Sequence, residues 1–225
     1  MSESFPAAAG RADLSLEAAR YALLRRLAFP IRHDMAGHLQ PVNMVGEVLG
    51  RRLRAESPDP AKLEEGVTRL LGLTRTAMAA CLDVVTWLAP ENQRQVSLRE
   101  AIDDTVGLVR GSLGFRGFAL RDETGEAPWQ VQRSGLRMVL PACLLLMSDE
   151  AGPPAEITLS AYEAAGAVRL VLSLEPGDGP DATLSEPPYR PLTGAEVELL
   201  AQAEGMALTR GGDRLELSVP LAKVG

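Results

Sequence analysis

The stretch Leu24–Leu53, LRRLAFPIRHDMAGHLQPVNMVGEVLGRRL, decides how the rest of the chain is read. Its residues Leu24, Leu27, Ile31, Met35, Val42, Val45, Leu49 and Leu53 recur at steps of three, four or seven, the period of one buried helical face. The helix reads from Ala18 onward, with Pro30 and Pro41 as places where it can bend. It stops at AESPDPAKLEE, where Asp59 suits an N-cap and Pro60 the first position of a second helix. Leu63, Val67, Leu70, Leu71, Thr74, Met78, Cys81, Leu82, Val85 and Leu88 carry the apolar face of that helix up to Pro90. Two long helices and a short turn predict an antiparallel hairpin. Alone it leaves its stripe exposed, and a second copy covers it most economically in a four-helix bundle. A homodimer through residues 18–56 and 60–89 is therefore expected.

Outward from the hairpin the character changes. Residues 1–17 are small and polar and read as a flexible arm, residues 18–90 as the hairpin, and residues 91–225 as a separate α/β domain. In that domain Leu98–Leu113 reads as helix, Phe118–Arg121 as a short strand and Ser134–Met147 as an apolar helix. EITLSAY (156–162) and AVRLVLSL (167–174) alternate with the strand period around EAAG, a hairpin signal. A helix from Thr193 to Glu204, a strand from Met206 to Thr209 and a last strand from Arg214 to Pro220 complete it. The fold class is α+β, with helices on one face of a mixed or antiparallel sheet.

Composition narrows the function. The 225 residues carry a formal charge of −7 and are 46 % hydrophobic, which supports a real core and argues against a nucleic-acid surface. No stretch reaches the roughly 20 uninterrupted apolar residues of a membrane span, and the N-terminus lacks the basic and apolar regions of a signal peptide. A cytoplasmic protein without membrane contact is expected. Cys81 and Cys143 lie alone in apolar helical patterns and read as reduced, buried thiols.

The two histidines, His33 and His38, share the first helix. With Ile31 at zero and about 100° per residue, His38 falls about 20° from the apolar centre and His33 about 200° away. His38 is thus expected inside the bundle and His33 in solvent. Their spacing is not the i, i+4 of a metal pair, and no third ligand accompanies them. An exposed imidazole can offer an unprotonated nitrogen to electrophilic phosphorus. Asp34 is placed to orient the ring or take up a proton, and Arg32 to screen an incoming phosphoryl charge.

RHDMAGHLQPVNMVGEVL resembles the phosphoacceptor box of bacterial sensor histidine kinases, with His33, Asp34 and Leu39 in the matching places. VSLREAIDDTVGLVR (96–110) and the order of elements after it resemble the ATPase domain of the same family, so that the resemblance spans roughly residues 18–222. It implies a dimerisation and histidine-phosphotransfer hairpin followed by an α/β sandwich. The departures lie in the nucleotide elements. Ala142 and Leu146 stand where metal-binding amides are expected. The Asp-x-Gly-x-Gly box is Glu175-Pro176-Gly177-Asp178-Gly179. The phosphate-cradling turn is reduced to PLTGAEVELL, with Gly194 alone, and the ATP lid to DATLSEPPYR.

A chain that keeps the acceptor but loses the ATP site is similar to histidine phosphotransferases with a degenerate ATPase-like domain. The resemblance implies a phosphorelay through His33 between response-regulator receiver domains, with no cofactor of its own and with Mg²⁺ supplied by the receiver. Glu175, Gly177 and Gly179 would be a remnant, and Gly37, where a water-positioning Thr or Asn is common, implies weak hydrolysis. Two further readings stand beside it: a non-catalytic pseudokinase that binds a regulator or sensor kinase, and an ATP-dependent histidine kinase with a divergent site.

Overall fold

The computed structural model describes residues 7–88, 94–177 and 189–222. The chain divides into two compact units, one holding Pro30–Pro90 and the other Met1–Phe29 together with Glu91–Gly225.

The first helix, α1, runs from Ala7 to Leu53 and the second, α2, from Pro60 to Leu88. As expected from its N-cap character, the Asp59 carboxylate accepts the amides of Ala61 (3.1 Å) and Lys62 (3.4 Å), and these bonds hold it below its ordinary pKa. Leu49 of α1 lies directly over Gly66 of α2, where a Cβ would strike it. The Arg52 guanidinium donates to the Lys62 carbonyl at 3.0 Å.

The single apolar face read for α2 is two faces. Leu63, Gly66, Leu70, Leu73 and Ala77, spaced by three and four, are buried or half-buried, whereas Val67, Leu71, Met78, Leu82 and Val85 are exposed. A stripe wider than one neighbour can cover leaves its second edge in water. The segment Pro60–Trp87 is also long and apolar enough to cross a membrane by length and composition, with mean hydropathy 1.2. The run is not an uninterrupted one: leucines and valines raise the average over Arg75 and Asp83.

Two boundaries differ from the sequence reading. Residues 7–17 of the expected flexible arm are helical, continuing α1 toward the N-terminus; residues 1–6 lie outside the described ones. The part of α1 before Pro30 belongs with the α/β unit and not with the hairpin. There Ala19, Ala22, Leu23 and Leu27 are fully buried. This face is one position out of phase with the stripe read from Leu24, because it answers to a different partner.

The α/β unit follows the expected order: β1 (Gln95–Ser97), α3 (Leu98–Phe115), β2 (Phe118–Asp122), β3 (Gln130–Gln132), α4 (Arg133–Glu150), β4 (Ala155–Ala164), β5 (Ala167–Pro176), α5 (Gly194–Ala203), β6 (Ala207–Gly211) and β7 (Arg214–Pro220). The main sheet has the order β2-β4-β5-β7-β6, with β2 and β4 parallel and the other pairs antiparallel. Ala155, Ile157 and Leu159 of β4, Val168, Leu170 and Leu172 of β5, and Leu215, Leu217 and Val219 of β7 alternate into the core, the period-two pattern of a sheet covered on one side. β1 and β3, paired antiparallel, were not legible because three residues carry no period.

Beside β2, the Arg99 guanidinium donates to Asp103 (2.6 Å), Asp122 (2.5 Å) and Thr124 (2.8 Å). Burial alone would raise the Asp122 pKa, but the bonds from Arg99 and Thr124 outweigh it and hold the carboxyl at about 2. A carboxyl depressed in the folded state stabilises the fold above its unfolded pKa and loses that contribution as pH falls through the folded value. Wild type should therefore exceed Asp122→Asn in urea-unfolding stability by about 2 kcal/mol above about pH 4, with the gap closing toward pH 2. A gap independent of pH would exclude this ion pair as its source.

Candidate functional site

His33 lies in α1 three residues past Pro30 and is exposed, as its helical phase requires. Its side chain makes no hydrogen bond or ion pair with the described residues. Gly37, four residues on and so on the same face, has no atom within 4 Å of where its Cβ would be. The space along the helix beside the imidazole is open. Arg32 and Asp34 are exposed as well.

Asp34 lies beside the second histidine as well. Its carboxylate lies 3.8 Å from Nε2 of His38, one turn further along, with the two side chains 51 % and 38 % exposed. Adjacent residues on a helix point about 100° apart, so the carboxylate reaches its i+4 neighbour more readily than the ring beside it. His38 in the single chain is half-exposed and not enclosed. Pro41 has no N–H to donate to the Gly37 carbonyl and Pro30 none for that of Arg26, so the helical ladder is interrupted on both sides of His33.

In the α/β unit the described positions of the expected nucleotide remnant lie on α4 and at the end of β5. Ala142 and Leu146 are buried inside α4, whose residues from Ser134 to Ser148 are all in the interior. Glu175 is exposed at the end of β5. Gly177 packs against the backbone of Pro154 and Ala155, and its amide donates to the Pro154 carbonyl at 2.9 Å. Gly179 and most of the shortened lid lie outside the described residues.

A helix N-terminus that cradles phosphate does so with its first amides, and at the start of α5 those of Glu196 and Val197 bond to Thr193. The Thr193 hydroxyl accepts from the Glu196 amide (3.3 Å), and the Glu196 carboxylate accepts from the Thr193 amide (2.9 Å) in a reciprocal capping box. Arg190 binds the same carboxylate through two nitrogens at 2.6 and 2.9 Å and pulls its pKa down. A cavity of about 320 Å³ between α4, the start of β4, the end of β5 and the β6–β7 turn has an apolar floor of Met147, Leu174 and Leu215, and the Glu150–Arg210 ion pair lies at its rim. Among the described residues, Ala142 and Leu146 offer no side-chain oxygen or nitrogen to a metal ion.

Cys143 is fully buried and its thiol is pushed up to about 12 by that burial, so it is inert. Cys81 is half-buried.

One charged cluster was missed. Arg26 of α1 binds Asp149 at the end of α4 through two nitrogens at 2.6 and 2.8 Å, with side chains only 2 % and 5 % exposed. Arg116 binds the same carboxylate at 2.7 Å and also Ser148. The signal available was Arg26 in step with Ala19, Ala22 and Leu23, a charge on an otherwise apolar face.

No family model matches this chain, and no curated protein matches it. Among solved structures it is similar to a histidine kinase from Burkholderia phymatum, at 20 % identity over 89 % of this chain and 98 % of that one, with a TM-score of 0.47. It is similar to the histidine kinase ThkA in complex with response regulator protein TrrA, at 15 % identity over 94 % of this chain and 66 % of that one, TM-score 0.44. A bacterial phosphotransferase is similar at 16 % identity over 88 % and 95 %, TM-score 0.39.

Because His33 is exposed and holds no partner, His33→Ala should leave urea-unfolding stability within about 0.5 kcal/mol of wild type. A larger loss would give this side chain a role in packing.

Proposed function

We propose that this protein is a histidine phosphotransferase of a two-component phosphorelay, carrying a phosphoryl group on His33 between the aspartates of response-regulator receiver domains. The observation that carries this reading is His33 itself: an exposed imidazole on a long helix, with open space at Gly37 and without a structural partner.

In the forward step an unprotonated imidazole nitrogen attacks the phosphorus of a receiver's aspartyl phosphate. The P–N bond forms as the P–O bond to the carboxyl breaks, and the carboxylate leaves with the electron pair. The reverse step passes the group to a second receiver. The receivers supply the Mg²⁺, and Arg32 offsets the incoming charge. Asp34 is the candidate for proton transfer.

The route from ATP is disfavoured by the chain's own residues: buried Ala142 and Leu146 in place of amides, and the carboxylate of Glu196 at the start of α5. A cytoplasmic homodimer belongs to the same reading. Val67, Leu71, Met78, Leu82 and Val85 form an exposed apolar seam at helical spacing, and a four-helix bundle of two hairpins would bury it. The charges inside α2 would be costly in a bilayer but can lie at the rim of such a seam.

Incubation with a receiver phosphorylated on aspartate should label the wild type and not His33→Ala, while labelled ATP alone should give nothing. Label that survives His33→Ala, or labelling by ATP alone, would overturn the reading. Regulator binding that persists in His33→Ala, with no label on the wild type either, would identify a pseudokinase. Sedimentation equilibrium should return the mass of two chains; a single-chain mass at tens of micromolar would refute the dimer.

A further inference from the structure

We propose that α1 is two mechanically separate pieces meeting at Pro30, the first latched into the α/β unit by the Arg26–Asp149 ion pair and the second carrying His33. Three independent features meet at this point of the helix. The boundary between the compact units falls between Phe29 and Pro30. Burial changes there: Ala19, Ala22, Leu23, Arg26 and Leu27 are buried, and Arg32, His33 and Asp34 are exposed. Pro30 lacks the N–H that the Arg26 carbonyl would receive, and its ring crowds that carbonyl.

The first piece is held by more than apolar packing. Arg20 pairs with Glu204 at 3.5 Å, Arg25 lies over the Tyr189 ring at 5.3 Å and Tyr21 meets the same ring edge-on at 6.0 Å. The bidentate Arg26–Asp149 pair is the buried part of this grip, and such pairs are strong and directional.

The chemistry of the pair suits a latch that can open. Removing one member of a buried ion pair is costly because it strands the other charge. Asp149 is not stranded when Arg26 leaves, since Arg116 still binds it at 2.7 Å and is itself held by Ser148 and lies over the Phe118 ring at 5.6 Å. The carboxylate keeps its charge and orientation, a preformed socket for one guanidinium. The hinge does not depend on the phosphoryl chemistry, although it would let the segment bearing His33 move while the helix before it stays seated.

Hydrogen exchange of the intact protein tests this. In wild type the amides of Ala22–Phe29 should exchange at least about tenfold more slowly than those of Met35–Leu39. Arg26→Met should speed the first set by about tenfold or more while leaving the second within about twofold. Pro30→Ala keeps the ion pair and restores the N–H, so the rates of the two sets should converge. The proposal is overturned by a common acceleration of both sets in Arg26→Met, by no change in either, or by rates that stay apart in Pro30→Ala.

Discussion

The burial of α4 on every side is the constraint on which the α/β unit depends. Each residue from Ser134 to Ser148 is in the interior, between the sheet, α3 and α5, and the helix meets a cavity at its last turn, through Met147 and Glu150. A helix of this kind must be apolar all round, which is what Leu136, Leu140, Leu144 and Leu146 supply. The one guanidinium buried in it, Arg137, is paired with Asp104 at 3.1 Å, and an amide in the same turns would likewise need hydrogen-bond partners of its own.

The end of the same helix explains the charge distribution. Where α4 reaches Asp149 the interior gives out, and a carboxylate that is 5 % exposed must be paired. Two guanidiniums meet it, one from the helix that opens the chain and one from the end of α3. The cluster keeps one excess positive charge, partly met by the Ser148 carbonyl and the Phe118 ring. Its members are far apart in sequence, at 26, 116 and 149, and so a non-local contact fixes the part of α1 before Pro30.

This locality governs what could be read without coordinates. Strands β4, β5 and β7 and helices α2 to α5 were legible because each repeats its period several times and carries a cap or turn signal; Arg214–Pro220 and the Thr193 cap fell where expected. The exposure of His33 was legible for the same reason. Three-residue strands were not, nor was the helical state of residues 7–17, whose small polar sequence is indifferent until Ala19 and Leu23 find a partner. The two faces of α2 were merged because periodicity reports the width of an apolar stripe and not how many neighbours share it. The approach of Asp34 to His38 was not legible either, because it joins residues one helical turn apart that the sequence lists separately.

The surroundings of His33 follow from residue types that are poor helix formers. Pro30, Gly37 and Pro41 each weaken the helix, yet they occur within a dozen positions of one another in a helix of 47 residues. Their joint effect is to strip side chains and hydrogen-bond partners from the backbone around one imidazole. Gly37 removes bulk on the histidine's own face, and Pro41 leaves the Gly37 carbonyl without its helical donor. An approaching protein surface would meet there a nucleophilic ring, bare backbone and an acceptor carbonyl, with Arg32 alongside. Stability has been given up around His33, and the packed segment before Pro30 and the contact of Leu49 with Gly66 hold the helix on either side of it.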